Sequence, residues 1–228
     1  MMSAAPTTTA PMTDSHLTDS HLTDTIAAER SDLADLLAAL PAEAWDLPTL
    51  CAGWRVRDLV AHVTMPFRYS TARFVAELAR SRGNFTAMAD RCARRDGAAP
   101  PADLLSALRD NVTNPWKPPG GGYAGALTHD VVHGLDVVVP LGIGRRVPED
   151  RLRVVLDSIT APTARKHFGT DLNGIELRAE DLGWSYGSGQ RLSGAAQDLA
   201  LVLCGRKLPA GRLHGEPAAR FSAGQAGR

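Results

Sequence analysis

With 228 residues, 44% of them apolar, the chain can bury one large core, or one of about 150 residues with a smaller appendage. Its 25 basic and 25 acidic side chains cancel, and no basic patch is interleaved with aromatics, which argues against a binder that tracks nucleic-acid phosphates. Cys51, Cys92 and Cys204 are odd in number and widely spaced with no C-x-x-C, which argues against a disulfide framework or zinc ribbon and suits a reducing cytosol.

No run reaches the roughly 18 apolar residues of a membrane span, and the N-terminus lacks the basic-then-apolar order of a signal peptide. A cytoplasmic protein is expected. Residues 1–23 read as a disordered tail rich in Thr, Ser, Ala and Pro, with TDSHL doubled at Thr13–Leu17 and Thr18–Leu22. His16 and His21 lie in that tail and are not expected to be ligands.

Helical periodicity begins near Thr25, with Ile26, Leu33, Leu36, Leu37 and Leu40 at a 3.6 spacing, and ends at Pro41. After a loop carrying Pro48 and Gly53, a second helix starts near Arg55 and turns Val56, Leu59, Val60, Val63 and Phe67 inward. His62 sits at the edge of that arc. Pro66 has no amide for the carbonyl of His62, so a kink or stop is expected there. Residues 71–82 read as helix, and Asn84 to Arg95 with Pro101 to Asn111 form a third helical region. NPWKPPGGG is a Pro/Gly connection.

Gly120 to Pro140, GGGYAGALTHDVVHGLDVVVP, predicts one apolar helix. Leu127, Val131, Leu135, Val138 and Val139 share one arc; His129, His133 and Asp136 form a narrow polar stripe opposite. Two imidazoles four residues apart lie one turn apart on one face and can grip a divalent ion, given a third ligand from elsewhere. The alternative is two ordinary histidines on a half-exposed face. A turn at Gly142–Arg146 and a helix from Pro148, with Pro162 near its end, complete an antiparallel bundle over 24–168.

From Gly169 the pattern changes. Ile175–Glu180 alternates as a half-buried strand, and Trp184–Tyr186, turning at Gly187–Gln190 into Arg191–Ser193, predicts a hairpin. Ala195–Cys204 is a short apolar helix stopped by Gly205, and Ala218–Phe221 is a further strand candidate. Residues 169–228 form a small α/β subdomain.

CAGWRVRDLVAHV (Cys51–Val63) resembles the Cys-x-Gly-Trp-x-Val-Arg-Asp-Leu-x-x-His signature of the mycothiol-dependent maleylpyruvate isomerase family, related to the DinB-like metal enzymes. HDVVHGLD resembles its second signature, and Leu177–Arg206 resembles the C-terminal region of these actinobacterial proteins. The resemblance implies a mainly α fold, a DinB-like antiparallel four-helix bundle followed by a small C-terminal α/β subdomain. It implies His62, His129 and His133 as metal ligands, although the isomerase branch usually has Glu where His129 stands. Arg206 falls where those enzymes have an Arg that assists substrate binding.

Three neutral nitrogens leave zinc, or nickel or iron, with an open position at which a thiol such as mycothiol binds as thiolate. Attack on a small electrophile then gives cis–trans isomerisation or S-transfer. Asp136 is placed to hold the second N–H of His133. Arg68, Arg206 and Arg220 are candidates for a substrate carboxylate. Cys51 is a possible nucleophile, but fits better as a small buried loop residue; Trp54, Trp116 and Trp184 are packing elements that can wall a pocket. Two rivals remain: a non-catalytic metal- or small-ligand-binding module, and a zincin-like metallohydrolase in which HDVVH imitates H-E-x-x-H. The expected partners are a thiol and a small electrophile, with no nucleic acid or membrane, for a monomer or homodimer.

Overall fold

Helix α1 (Asp19–Ala38) turns Ile26, Leu33, Ala34 and Leu37 inward in the computed structural model, which describes residues 19–224. Its first turns take in residues 19–23, which the sequence reading assigned to the tail. Asp19 sits at the positive end of the helix, and the Thr25 hydroxyl donates to the His21 carbonyl at 2.8 Å, so the helix extends back from its buried part. The remainder of that tail, with His16 and the first TDSHL copy, lies outside the described residues.

Helix α2 (Val56–Arg68) begins where Asp58 accepts the Arg55 amide at 3.0 Å. It does not stop at Pro66. The proline falls in the last turn, where it removes one bond, and Arg68 secures the end by donating to the Ala61 carbonyl (2.7 Å) and the Thr64 hydroxyl (3.1 Å). Helices α3 (Thr71–Arg80) and α4 (Phe85–Asp96) form a hairpin beside α2, with Asn84 capping α4. Helix α5 (Pro101–Arg109) packs on α1 and α2, and α6 (Gly122–Val138) on the same two, which closes the four-helix bundle.

Helix α7 (Glu149–Thr160) is followed by a separate α8 (Pro162–Phe168) rather than ending near Pro162. The proline occupies the first turn of the new helix, where its missing amide costs nothing. Strand β1 (Ile175–Ala179) then pairs antiparallel with β2 (Ser185–Gly187) and parallel with β3 (Gln190–Gly194), so β2 and β3 flank β1 and do not form the expected hairpin. The chain passes around the start of β1 through two glycines. A Cβ on Gly187 would lie 2.4 Å from the Ile175 carbonyl oxygen, and one on Gly189 (φ 124°) 2.2 Å from that of Gly174. Helix α9 (Ala196–Leu203) follows, and the last strand is β4 (Leu213–His214) against β3. Ala218–Phe221 is a helical turn, α10, rather than a strand, because Pro217 and its neighbours close i→i+3 bonds.

Among the described residues the α/β part shares its core with the bundle. Leu127, Val131 and Leu135 of α6, Val155 and Ile159 of α7, Leu177 and Leu192 of the sheet, and Leu199 and Leu203 of α9 make one continuous cluster. Leu33, Leu37, Val56, Leu59 and Leu104 form a second cluster inside the bundle. Helix α6 lies between the two, so Asp130 and Asp136 are buried, at 1% and 0% exposure, while His129 and His133 stay partly exposed. Among the described residues no helix is long and apolar enough to cross a membrane.

Gly189→Ala should remove at least about 1–3 kcal/mol from the φ strain alone, with the contact on Gly174 added. Gly183→Ala, into open space, should stay within about 0.5 kcal/mol. Urea unfolding of the two variants checks the path around β1; equal midpoints would contradict it.

Candidate metal centre

His62 projects from α2 and His129 and His133 from successive turns of α6. The three rings meet: centroids are 5.3 Å apart for His62 and His129, 5.1 Å for His62 and His133, and 4.7 Å for His129 and His133. One nitrogen from each lies within 4.8 Å of the others. His62 Nε2 and His129 Nε2 are 3.4 Å apart. Two nitrogens about 2.0–2.1 Å from one tetrahedral ion are separated by about 3.3–3.4 Å, so this pair already has the spacing of two ligands.

Two of the imidazoles are oriented by buried carboxylates. His133 Nδ1 lies 3.0 Å from Asp136 Oδ2, and His129 Nδ1 lies 2.9 Å from Asp130 Oδ1. A carboxylate accepts, so each ring carries its proton on Nδ1 and leaves Nε2 with a free lone pair. His62 Nδ1 is buried without a hydrogen-bond partner among the described residues. The donor set therefore fits a divalent ion: three ring nitrogens, two of them with fixed tautomers.

The electrostatics agree. Burial holds the His62 imidazole well below its ordinary pKa, and His133 and His129 add to the effect. Burial also lowers His133, against the opposing pull of Asp136. Neutral rings are the ligating form. Burial alone would raise Asp136, but Arg206 and His133 hold it down to about 2. Arg206 grips Asp136 with both ends of its fork, Nε to Oδ1 and Nη2 to Oδ2, each at 2.8 Å, and its Nη1 donates to the Cys204 carbonyl at 3.1 Å. All three guanidinium nitrogens are engaged, so in this arrangement Arg206 holds Asp136 rather than standing free for a substrate.

The loop before α2 docks on α6 through the Leu50 amide and the Asp136 carbonyl (3.0 Å), which brings Cys51 to the site. Its Sγ lies 3.1 Å from Asp136 Oδ2 and 3.8 Å from His133 Nδ1. Burial and then Asp136 push this thiol far above its ordinary pKa, so it stays protonated and donates to the carboxylate. Trp54 and Trp116 stand 5.0 Å and 5.3 Å from His62 and His129 and wall the site. Trp184 instead stacks on Tyr186 beside the sheet. Arg68 is tied to Asp96 and the end of α2, and Arg220 to Asp171. His167 packs on Phe168, and His214 pairs with Glu180.

Sequence reasoning overlooked Asp130 and the residue behind it, Arg30, whose Nε donates to Asp130 Oδ2 at 2.8 Å. The signal was present. Arg30 lies four residues from Ile26 and from Ala34 and three from Leu33, on the apolar face of α1. With one oxygen on His129 and the other on Arg30, Asp130 is unavailable to activate water as the acidic residue of H-E-x-x-H would.

Residues 26–114 match the family model described as the mycothiol maleylpyruvate isomerase N-terminal domain. Two Mycobacterium tuberculosis proteins, Uncharacterized protein MT0041 of strain CDC 1551 / Oshkosh and Uncharacterized protein Rv0036c of strain ATCC 25618 / H37Rv, are each 26% identical over 222 residues. Each alignment covers 80% of this chain and 84% of the relative. Crystal structures of the mycothiol-dependent maleylpyruvate isomerase and of a histidine-to-alanine mutant of it superpose with TM-scores of 0.56 and 0.58. Both cover 89% of this chain and 94% of theirs at 13% identity, a likeness of fold.

The lowered pKa values of His62 and His133 set a pH dependence for the metal-free protein. Below about 6.5, the ordinary histidine value, the unfolded chain binds protons that the folded rings refuse, so stability rises with pH and is lost as pH falls through that value. Asp136 contributes no slope in this window, because its loss begins only near the ordinary carboxylate range. The urea midpoint of chelator-treated protein should drop between about pH 7.5 and 5.5, and His62→Gln should flatten that drop. An unchanged slope in the variant would show that His62 is not held neutral by the fold.

Proposed function

We propose, from the match of residues 26–114 to the mycothiol maleylpyruvate isomerase N-terminal domain, that the chain is a divalent-metal enzyme of that family that activates a low-molecular-weight thiol, mycothiol or a similar one, for cis–trans isomerisation of, or S-transfer to, a small electrophile. The supporting observation is the meeting of three imidazoles from two helices, two of them with Nδ1 committed to buried carboxylates. His62, His129 and His133 would hold the ion. Bound there, a divalent metal, zinc first and nickel or iron with the same donors, supplies an open coordination position at which a thiol loses its proton.

The protein's own part is to orient and to exclude water. Asp136 and Asp130 keep the His133 and His129 protons on Nδ1, so both rings offer Nε2 without rearrangement. Arg206 keeps Asp136 ionised and is a positioning residue in this reading. Trp54 and Trp116 dry the approach to the rings, which strengthens attraction between a thiolate and a polarised electrophile. Cys51 retains its proton and leaves nucleophilic attack to the exogenous thiol.

His129 takes a position where the isomerase branch usually has Glu. A neutral donor there would leave a bound ion one charge more positive, which would favour thiolate binding. The purified protein should bind about one equivalent of zinc, and His62→Ala should reduce the occupancy sharply. Cobalt-substituted protein titrated with thiol should gain a sulfur-to-metal absorption band. A bound ion whose spectrum ignores thiol would point to a closed structural site and overturn the enzymatic reading.

A further inference from the structure

Arg30 is fully buried on α1, far in sequence from either metal signature, and three of its contacts converge on one side of the site. Its Nε donates to Asp130 Oδ2 at 2.8 Å. Its Nη1 donates to the Asn114 carbonyl at 2.6 Å and reaches the Val112 carbonyl at 3.4 Å. The guanidinium also lies 4.8 Å from the centre of the Phe67 ring.

Two of these polar contacts, to Asp130 and to Asn114, lead onward to the site. Asp130 passes to His129 Nδ1 at 2.9 Å. The Asn114 side chain accepts the Trp116 amide at 3.0 Å, and the Trp116 ring stands 5.3 Å from that of His129. One guanidinium thus anchors an imidazole and the aromatic wall beside it. A buried ion pair adds little net stability over an apolar pair of the same shape, so the main consequence of this one is directional.

We propose that Arg30 is a positioning residue for the metal centre: through Asp130 it fixes the tautomer and direction of the His129 ring, and through Asn114 it sets Trp116 against that ring. The proposal rests on the reading of His129 as a ligand and adds to it a relay that starts outside both signatures. It mirrors the Arg206–Asp136–His133 chain on the next turn of α6, so each α6 imidazole has an arginine-backed carboxylate and His62 has none. It also accounts for a histidine where a carboxylate ligand would otherwise stand. An imidazole needs an acceptor behind its Nδ1–H, and a buried acceptor needs a cation.

The test has two readouts on the full chain. In metal-free protein, long-range proton–nitrogen spectra should show His129 protonated on Nδ1 and bare on Nε2, and Arg30→Met and Asp130→Asn should disturb that pattern. Zinc affinity, measured by chelator competition, should fall about 10–100-fold in each variant, with urea midpoints showing that the protein remains folded. The proposal is overturned by wild-type protein carrying the His129 proton on Nε2, or by folded variants that bind zinc as tightly as wild type. Wild-type protein that binds no zinc would defeat the metal reading instead, and the tautomer would still decide the relay. If Arg30→Met does not fold, the isosteric Asp130→Asn and the wild-type spectrum carry the decision.

Discussion

Two carboxylates buried on one helix, each held between an arginine and an imidazole, constrain most of what surrounds them. Asp130 and Asp136 stand at 1% and 0% exposure on α6. An unpaired ionised carboxylate in such a place is not tolerated, and removing one partner of a buried pair typically costs about 3–5 kcal/mol. The cations must therefore come from elements packed against α6. Arg30 comes from α1, and Arg206 from the end of α9. Arg30 takes one oxygen of Asp130 and leaves the other for His129, whereas Arg206 spans both oxygens of Asp136 and shares Oδ2 with His133, so both carboxylates sit in an interior layer rather than on a solvated face.

The same arrangement explains why the centre is uneven. His129 and His133 are fixed by neighbours on their own helix, whereas His62 comes from a different helix and its Nδ1 has no acceptor among the described residues. Its direction depends on packing, with Trp54 5.0 Å away and α2 closed at its end by Arg68. A tri-imidazole site assembled this way has two stiff donors and one that adjusts. Because burial keeps His62 and His133 unprotonated near neutrality, the site offers lone pairs rather than positive charge to an incoming ion.

Much of this was legible in the residues. The His129/His133 spacing, the edge position of His62 and the offset of Asp136 from His133 were all readable, because helical periodicity is a local property and i, i+3 and i, i+4 neighbours share a face. The partners of the two carboxylates were not. Asp130 lies beside His129 in sequence, yet its place in the interior depends on Arg30 a hundred residues earlier. Only the oddity of a charged side chain on the apolar stripe of α1 announced it. The sheet was misread for a related reason: glycines at 187 and 189 look like a hairpin turn, but their close passage past the Gly174 and Ile175 carbonyls takes the chain around β1 to its other edge. Arg206 was identified from its position in a family signature, which gives a location and no partner.

The C-terminal part is bound into the site and is more than an appendage. Helix α9 shares a continuous core with α6 and α7, and the turn that ends it at Gly205 (φ 78°) aims Arg206 back at Asp136. The Cys204 carbonyl takes the remaining arm of that guanidinium, so the direction of Arg206 is set by the backbone that terminates α9. Folding of the sheet and α9 therefore precedes, in a structural sense, a fully paired Asp136. A bundle without them would leave that carboxylate buried against a single imidazole and a protonated thiol, neither of which carries a positive charge. The three imidazoles belong to the bundle, but the charge balance that keeps the His133 proton on Nδ1 comes from the far end of the chain.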